Sequence, residues 1–371
     1  MAYSASMKRA VGEVRARLAE AGIARQSDEF RRHGRHEPAP DAPLLLVACS
    51  GGRDSMALAH VAHVVAGMLG VRCGAVVIDH GMQDASAAVA AQAADRCRSI
   101  GLAPVVVRRV DVDGSALAGG PEAGARDARY RALADIARQY GARAVLLAHT
   151  MDDQAETLLL GLMRGGGPGA ACGMPRAMVR DDVAFLRPML GLTRADTTAI
   201  CRSAGIGWWD DPTNGDAYAG GEIPAGLPLR SQLRHTVMPA LAAIGGPSFA
   251  AHMAQAAEAL REDDDYMNAE AARIADERHL VTVVIADGRR DAARIDATGL
   301  AVLARPLRTR IVARTLRVLG VGGFTSRHVE RIDALAVDWH GQGSVRLPQG
   351  FSAFFKNHVI EVCQDKTHAN R

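Results

Sequence analysis

The sequence predicts an α/β protein, with a parallel, doubly wound sheet followed by a mainly helical C-terminal domain. Three observations predict it. Between residues 44 and 164, apolar runs of strand length alternate with amphipathic segments of helix length, the rhythm of a buried parallel sheet with helices on both faces. The polar residues of that stretch gather where the apolar runs stop, at the carboxyl ends of the expected strands, where ligands bind in such sheets. Beyond about residue 231 the pattern turns mostly helical.

Taken in order, residues 6–23 carry Met7, Val11, Val14, Leu18 and Ile23 at helical spacing. A polar segment ending in Pro38, Pro40 and Pro43 reads as a linker, so residues 1–43 form an N-terminal helix and linker extension. Strands are expected at Leu44–Ala48, Gly74–Ile78, Pro104–Val110 and Ala144–Ala148, and helices at 56–69, 86–100, 122–140 and 152–164. Another helix starts at Thr193, and residues 208–216 are turn chemistry. Residues 215–228, rich in Gly and Pro, read as an exposed loop. From 231 the chain reads as mostly helical to about 337, and residues 345–362 read as strand pairs around Pro348-Gln349-Gly350. A boundary near residue 217 divides a domain at 44–217 from one at 218–371.

Composition bounds the function. A chain of 371 residues, 48% hydrophobic, can build two or three cored domains. The net charge of +3 neither demands nor excludes a nucleic-acid partner. Its distribution is more telling: seven arginines (305, 308, 310, 314, 317, 327, 331) crowd residues 301–335. Six cysteines lie far apart with no C-x-x-C, which argues against a disulfide framework, a zinc ribbon or an iron–sulfur centre. No apolar run approaches a membrane span and the N-terminus lacks a signal-peptide core, so a cytoplasmic protein with no membrane partner is expected.

The most informative segment is Ser50-Gly-Gly-Arg-Asp-Ser55, between a strand and a helix. Glycines let the backbone turn tightly and approach a ligand, and the amides of the helix start favour an anion. The spacing is not that of a Walker A loop. Asp54 is expected in a solvent-facing turn of this loop. His149-Thr-Met-Asp-Asp-Gln-Ala-Glu-Thr157 also lies directly after a strand and opens a helix. Asp152 or Asp153 suits an N-cap, with Glu156 near the capping-box position. Capping alone does not explain a histidine and two aspartates at one strand end, and carboxylates above a phosphate loop suit Mg²⁺. Asp79-His80 and Arg108–Asp111 end the other two strands, which suggests one shared pocket. Arg126 and Arg129 share a helix face and form a pair of forks for phosphate or carboxylate, or an ordinary solvated face. Arg230 and Arg234 repeat at an i,i+4 interval that is weak by itself.

Ser-Gly-Gly-x-Asp-Ser is similar to the pyrophosphate (PP) loop of the N-type ATP pyrophosphatases. The whole set resembles the tRNA(Ile)-lysidine synthetases: 50–55, Asp-His-Gly-Met at 79–82, Glu-Ala-Gly-Ala-Arg-Asp-Ala-Arg-Tyr at 122–130, 149–157 leading into Leu-Met-Arg-Gly-Gly-Gly at 162–167, Leu-Arg-Pro-Met-Leu at 186–190, Asp-Pro-Thr-Asn at 211–214 and Arg-Ser-Gln-Leu-Arg-His at 230–235. The resemblance is strong over residues 44–240 and weaker in the tail. It implies a sheet of the PP-loop ATP pyrophosphatase type and a C-terminal tRNA-binding domain. It further implies ATP-dependent joining of L-lysine to the wobble cytidine of tRNA(Ile) with a CAU anticodon, through an adenylated cytidine, with release of AMP and pyrophosphate. By the same resemblance Ser50, Gly51, Gly52, Arg53, Asp54 and Ser55 bind ATP, and Asp54 and Asp153 hold Mg²⁺. Asp54, Asp153, Glu156 and Arg126 serve the chemistry, and Asp152, Arg129, His149, Arg230 and Arg234 meet the substrates. A homodimer is left open. The departures are the 215–229 insertion, Ser231 in place of a common asparagine, and the N-terminal extension. A tRNA thiolase is disfavoured by the cysteine spacing, and an amidotransferase by the lack of any glutaminase segment.

Overall fold

The computed structural model describes residues 3–31, 37–79, 81, 86–110, 121–165, 167–215, 218, 221–224, 226–286 and 289–365. The chain opens with α1 (Ala5–Glu20), whose N-cap Ser4 accepts the Met7 amide through its hydroxyl. After it, in the expected alternation, come β1 (Leu44–Ala48), α2 (Arg53–Leu69), β2 (Arg72–Asp79), α3 (Ser86–Ile100), β3 (Val105–Arg109), α4 (Pro121–Gln139), β4 (Ala142–Leu146) and α5 (Met151–Met163). Next are α6 (Gly167–Ala171), β5 (Ala177–Arg180), β6 (Val183–Leu186) and α7 (Arg194–Ser203). A short α8 (Leu229–Gln232) runs into a π-helical turn at Leu233–Val237, then α9 (Met238–Gly245) and α10 (Phe249–Glu277).

Six strands form one sheet in the order β3-β2-β1-β4-β6-β5. Every neighbouring pair is parallel except β5–β6, a hairpin turned by Asp181 and Asp182 in left-handed conformations. The alternation of side chains explains why both faces are covered. Leu45, Val47, Ala75, Val77, Ala144 and Leu146 point into a core with α1, α2, α3 and α7. Leu44, Leu46, Val76 and Val145 point the other way, onto Tyr130, Leu133 and Ile136 of α4. The strand order reverses at β1 and β4, so the loops after these two strands flank a crevice at the topological switch point. The N-terminal helix belongs to this core: Met7, Val11, Val14 and Leu18 are buried in it.

The chain divides into two compact units, Met1–Arg164 with Ala171–Glu258, and Gly165–Ala170 with Ala259–Arg371. The first unit thus runs past residue 217, where the sequence suggested a boundary. The second unit carries the expected helices and the strand pairs at 345–362, and adds two strands within the stretch expected to be mostly helical. It holds a five-stranded antiparallel sheet in the order β7-β8-β11-β10-β9, built from β7 (Val281–Ala286), β8 (Arg289–Asp296), β9 (Val345–Arg346), β10 (Phe351–Lys356) and β11 (Val359–Gln364). α11 (Ala297–Ala301), α12 (Arg305–Val318) and α13 (Ser326–Val337) share a core with it around Ile295, Leu300, Ile311, Leu316, Ile332 and Ile360. The reading of 281–296 as helix fails because β11 is there to pair with β8, bringing Ile295 opposite Ile360 and Ala293 opposite Val362. Four of the crowded arginines are bound to acids of the same unit: Arg305 to Glu330, Arg308 to Asp333, Arg310 to Asp264 and Arg314 to Asp276. Among the described residues no single helix is long and apolar enough to cross a membrane.

Candidate active site

A cleft of about 430 Å³ opens at the switch point. Its floor is the turn after β1. Cys49 N–H still donates to Val76 O, and then the backbone leaves the sheet. Gly51 sits at φ +80°, and a Cβ there would stand 2.8 Å from the Cβ of Ala93 on α3, so glycine is required. The Ser55 hydroxyl ties the turn together, accepting from the Ser50 amide at 3.2 Å and donating to Gly52 O at 2.8 Å. Trp209 donates its amide to Gly51 O at 2.9 Å and clamps the turn from the other side. Gly52 is the N-cap of α2, so the amides of the first helical turn are open toward the cleft for an anion.

Asp54 does not lie in a solvent-facing turn, as the sequence suggested. It is in the first turn of α2, and its Oδ1 accepts from the Thr197 hydroxyl of α7. Burial raises its pKa, against the lowering effects of Thr197, Arg53 and Arg194.

The wall after β4 is set by the start of α5. Thr150, not Asp152 or Asp153, is the N-cap. Asp153 occupies the capping-box position, its Oδ2 accepting from the Thr150 amide at 2.8 Å and hydroxyl at 2.9 Å. Glu156 lies one turn further on, 1% exposed, and caps nothing. It is gripped by guanidinium groups: Arg194 Nη1 donates to Oε1 at 2.8 Å, Arg234 Nε to Oε1 at 2.8 Å and Arg234 Nη2 to Oε2 at 3.2 Å, with Arg230 Nε 4.0 Å away. Arg230 also donates to the Thr157 hydroxyl at 3.0 Å.

Arg194 joins the two walls. Its Nη2 donates to Asp153 Oδ1 at 2.6 Å, its backbone N–H to Asp152 Oδ2 at 2.8 Å, and its Nε lies 3.9 Å from Asp54 Oδ2. Burial works against charge on Asp153, but Arg194 foremost outweighs it and holds the carboxyl well below the usual range. Burial likewise opposes charge on Arg194, and Asp153 and Glu156 raise it well above its ordinary value.

The third wall is cationic. Arg129 lines the cleft, its pKa lowered by burial first and then by Arg126, Arg187 and Arg230. Arg126, Arg129 and Arg180 stand 5.1, 5.8 and 5.2 Å from the centre of the Tyr130 ring, and the buried Arg187 donates to the Tyr130 hydroxyl at 2.9 Å. His149 is lowered to about 3, chiefly by burial, so its imidazole is neutral. Its buried Nδ1 has no hydrogen-bond partner among the described residues. Such an orphan is what a bound polar ligand would satisfy.

Of the residues singled out in the sequence, Ser50, Gly52, Arg53, Asp54, Ser55, Asp79, Arg129, His149, Asp153, Asp211, Asn214 and Arg234 line the cleft. Gly51 supports the loop from behind. Asp152, Glu156 and Arg230 stand behind the wall as anchors, and Arg126 stands over the Tyr130 ring without lining the cleft. Arg108–Asp111 is not brought in: β3 is the sheet edge, two strands from the switch point, and Asp111 lies outside the described residues, as does His80. Sequence reasoning missed Arg194, Thr197 and Trp209. One signal was available for Arg194. It is the first residue of a helix whose capping box, Thr193 with Asp196, is otherwise conventional, and a cation at a helix N-terminus opposes the dipole unless something anionic holds it.

A parallel sheet with a glycine–serine phosphate loop after one switch-point strand and an acidic helix start after the next defines a nucleotide-using enzyme of the PP-loop class. The PP-loop domain model matches residues 23–241, and the TilS substrate binding domain model matches residues 296–359. The chain belongs to the tRNA(Ile)-lysidine synthase family: it is 49% identical to the tRNA(Ile)-lysidine synthase of Bifidobacterium longum subsp. infantis over the whole of both chains. It is 42% identical to that of Leifsonia xyli subsp. xyli over 90% of this chain and 95% of the other. Among solved structures, the U34-tRNA thiolase NcsA from Methanococcus maripaludis shares the fold, with a TM-score of 0.52 at 13% identity, covering 69% of this chain and 79% of that one.

Proposed function

We propose that the chain joins L-lysine to the wobble cytidine of tRNA(Ile) bearing a CAU anticodon, at the expense of ATP. The cytosine carbonyl oxygen attacks the α-phosphorus and pyrophosphate leaves; the lysine ε-amine then attacks the activated ring carbon, AMP leaves with the oxygen, and the amine proton passes to a carboxylate. The observation that carries this reading is the meeting of phosphate loop, acids and arginines in one cleft at the β1/β4 switch point.

Each wall has a part. The loop from Ser50 to Ser55 holds the departing pyrophosphate with backbone amides and hydroxyls, dipoles already aimed where charge develops. Magnesium, when bound, would neutralise phosphate charge. Asp54 and Asp153 suit it, since two carboxylates beside a phosphate loop are the donors that ion prefers. Arg129 and the neutral His149 offer donors to anionic or carbonyl groups of the substrates, and Arg126 stands over the Tyr130 ring next to Arg129. Arg234 holds Glu156 and borders the substrates on the other side, with Arg230 behind it. Both ATP and tRNA are cytoplasmic substrates, so the enzyme works there. The test is to incubate the purified protein with ATP, labelled lysine and unmodified tRNA(Ile). Label is expected in RNA only when ATP is present, with AMP and pyrophosphate released; release of ADP, or no label in RNA, overturns the reading.

A further inference from the structure

We propose that Arg194 is a positioning residue that stands in for the divalent cation before nucleotide binds. Its guanidinium holds Asp54, Asp153 and Glu156 in register; it then yields Asp54 and Asp153 to the incoming metal–nucleotide complex while keeping Glu156 and Asp152. The inference rests on the reading of Asp54 and Asp153 as metal ligands.

The contacts differ in what an exchange would break. Nη1 to the 1%-exposed Glu156 at 2.8 Å and the main-chain N–H to Asp152 at 2.8 Å would stay, and Nη2 to Asp153 Oδ1 at 2.6 Å is the one hydrogen bond given up, to be replaced by a phosphate acceptor. The loosest is Nε to Asp54 Oδ2, which at 3.9 Å is an ion pair without a hydrogen bond. Asp54 is held in place independently, since its Oδ1 takes the hydroxyl of Thr197, one turn along the helix that Arg194 begins. Releasing Asp54 Oδ2 therefore breaks no hydrogen bond and moves no backbone.

Charge demands the exchange. Among the described residues no three carboxylate, imidazole or thiol groups form a ready-made cation site. The Arg194 guanidinium sits instead among Asp54, Asp153 and Glu156. A dication arriving at Asp54 and Asp153 meets that charge at contact distance, and like charges at this range exclude one another. Phosphate oxygens of the nucleotide offer the displaced Nε and Nη2 a fork-matched acceptor. Lysine cannot replace this arrangement. One ammonium does not span Asp153, Glu156 and Asp54 with separate donors in a fixed plane.

The full-length protein tests this with Mn²⁺ followed by electron paramagnetic resonance, with and without α,β-methylene-ATP. Wild type should take up Mn²⁺ weakly alone and tightly with the analogue. R194M should bind Mn²⁺ without nucleotide about tenfold tighter than wild type, the effect of removing one buried like charge. It should also adenylate tRNA about a hundredfold more slowly, the acids having lost their register. D54N separates the two ideas. If it weakens Mn²⁺ binding with the analogue while R194M binds free Mn²⁺ no better than wild type, the stand-in role is wrong and the metal reading survives. If D54N leaves Mn²⁺ binding untouched, both are wrong. Should R194M not fold, a wild-type structure with analogue and Mg²⁺ decides: Arg194 must have left Asp54 and Asp153, and an unchanged fork refutes the proposal.

Discussion

Replacing Glu156 by glutamine removes one negative charge from a place where three guanidinium groups converge. The carboxylate is 1% exposed and accepts from Arg194 at 2.8 Å and from Arg234 at 2.8 and 3.2 Å, with Arg230 at 4.0 Å. Breaking a buried pair by removing one partner costs about 3–5 kcal/mol, because the other charge is left uncompensated. The amide also turns an N–H toward existing donors. A loss of roughly 4 kcal/mol lowers the thermal midpoint of a unit this size by about 8–16 °C, at about 2–4 °C per kcal/mol. Calorimetry on E156Q measures it. The double variant E156Q/R234Q should regain part of the loss, since one stranded cation goes with the acid. A shift under about 3 °C, or a double variant as unstable as the sum of the singles, refutes the convergence of charge as the source of stability.

The site makes three further predictions. D54N should abolish pyrophosphate release from ATP while leaving the thermal midpoint at neutral pH unchanged or raised. The folded-state pKa of Asp54 is raised, so its favourable contribution exists at low pH and is lost as pH climbs through that value; a marked loss of stability at pH 7 in D54N contradicts this. G51A places a side chain at φ +80° and 2.8 Å from Ala93, and should weaken ATP binding about tenfold or more as the loop shifts to relieve strain; isothermal titration gives the answer, and wild-type affinity would show the turn to be irrelevant. The Cys49 thiol is lowered to about 7 by hydrogen bonding with Cys97 first, and then Ser55 and Gly51, against burial. Alkylation by iodoacetamide, mapped by mass spectrometry, should accelerate through about pH 7 and slow with ATP, because Cys49 lines the cleft. A profile rising only near pH 8.5, the ordinary thiol range, counts against it.

The sheet of the first unit is legible because each strand is a buried apolar run and each helix a separate amphipathic segment. Leu44–Ala48, for example, is the same strand in sequence and structure. Local capping is less so, since Thr150 and Asp153 exchange roles with what spacing alone suggests. The hairpin β5–β6 leaves no clear trace in the sequence: four-residue strands at a sheet edge carry too little periodicity. In the second unit Val281-Thr-Val-Val-Ile-Ala has β-branched residues enough to be read as a strand. Its partner Arg289–Asp296, rich in Ala and Arg, has helix-forming composition and becomes a strand only through pairing with a segment over sixty residues later. In the site, motif residues are legible one by one. The ties between them are not: Arg194 and Thr197 reach Asp153 and Asp54 from about forty and one hundred and forty positions away, and no local pattern encodes that convergence.

The π-helical turn at Leu233–Val237 makes the spacing of this segment unforgiving. Met238 donates to the carbonyl five residues back, and Pro239, with no amide proton, cannot help restore the tighter ladder. Deleting one residue here would let the coil wind regularly, and α8 would rotate by about 100° relative to α9. Arg230 would then swing away from Glu156, whereas point substitutions on the outer face of the same turn leave the angle alone. Changes of length and changes of identity should therefore be tolerated very differently along these five residues.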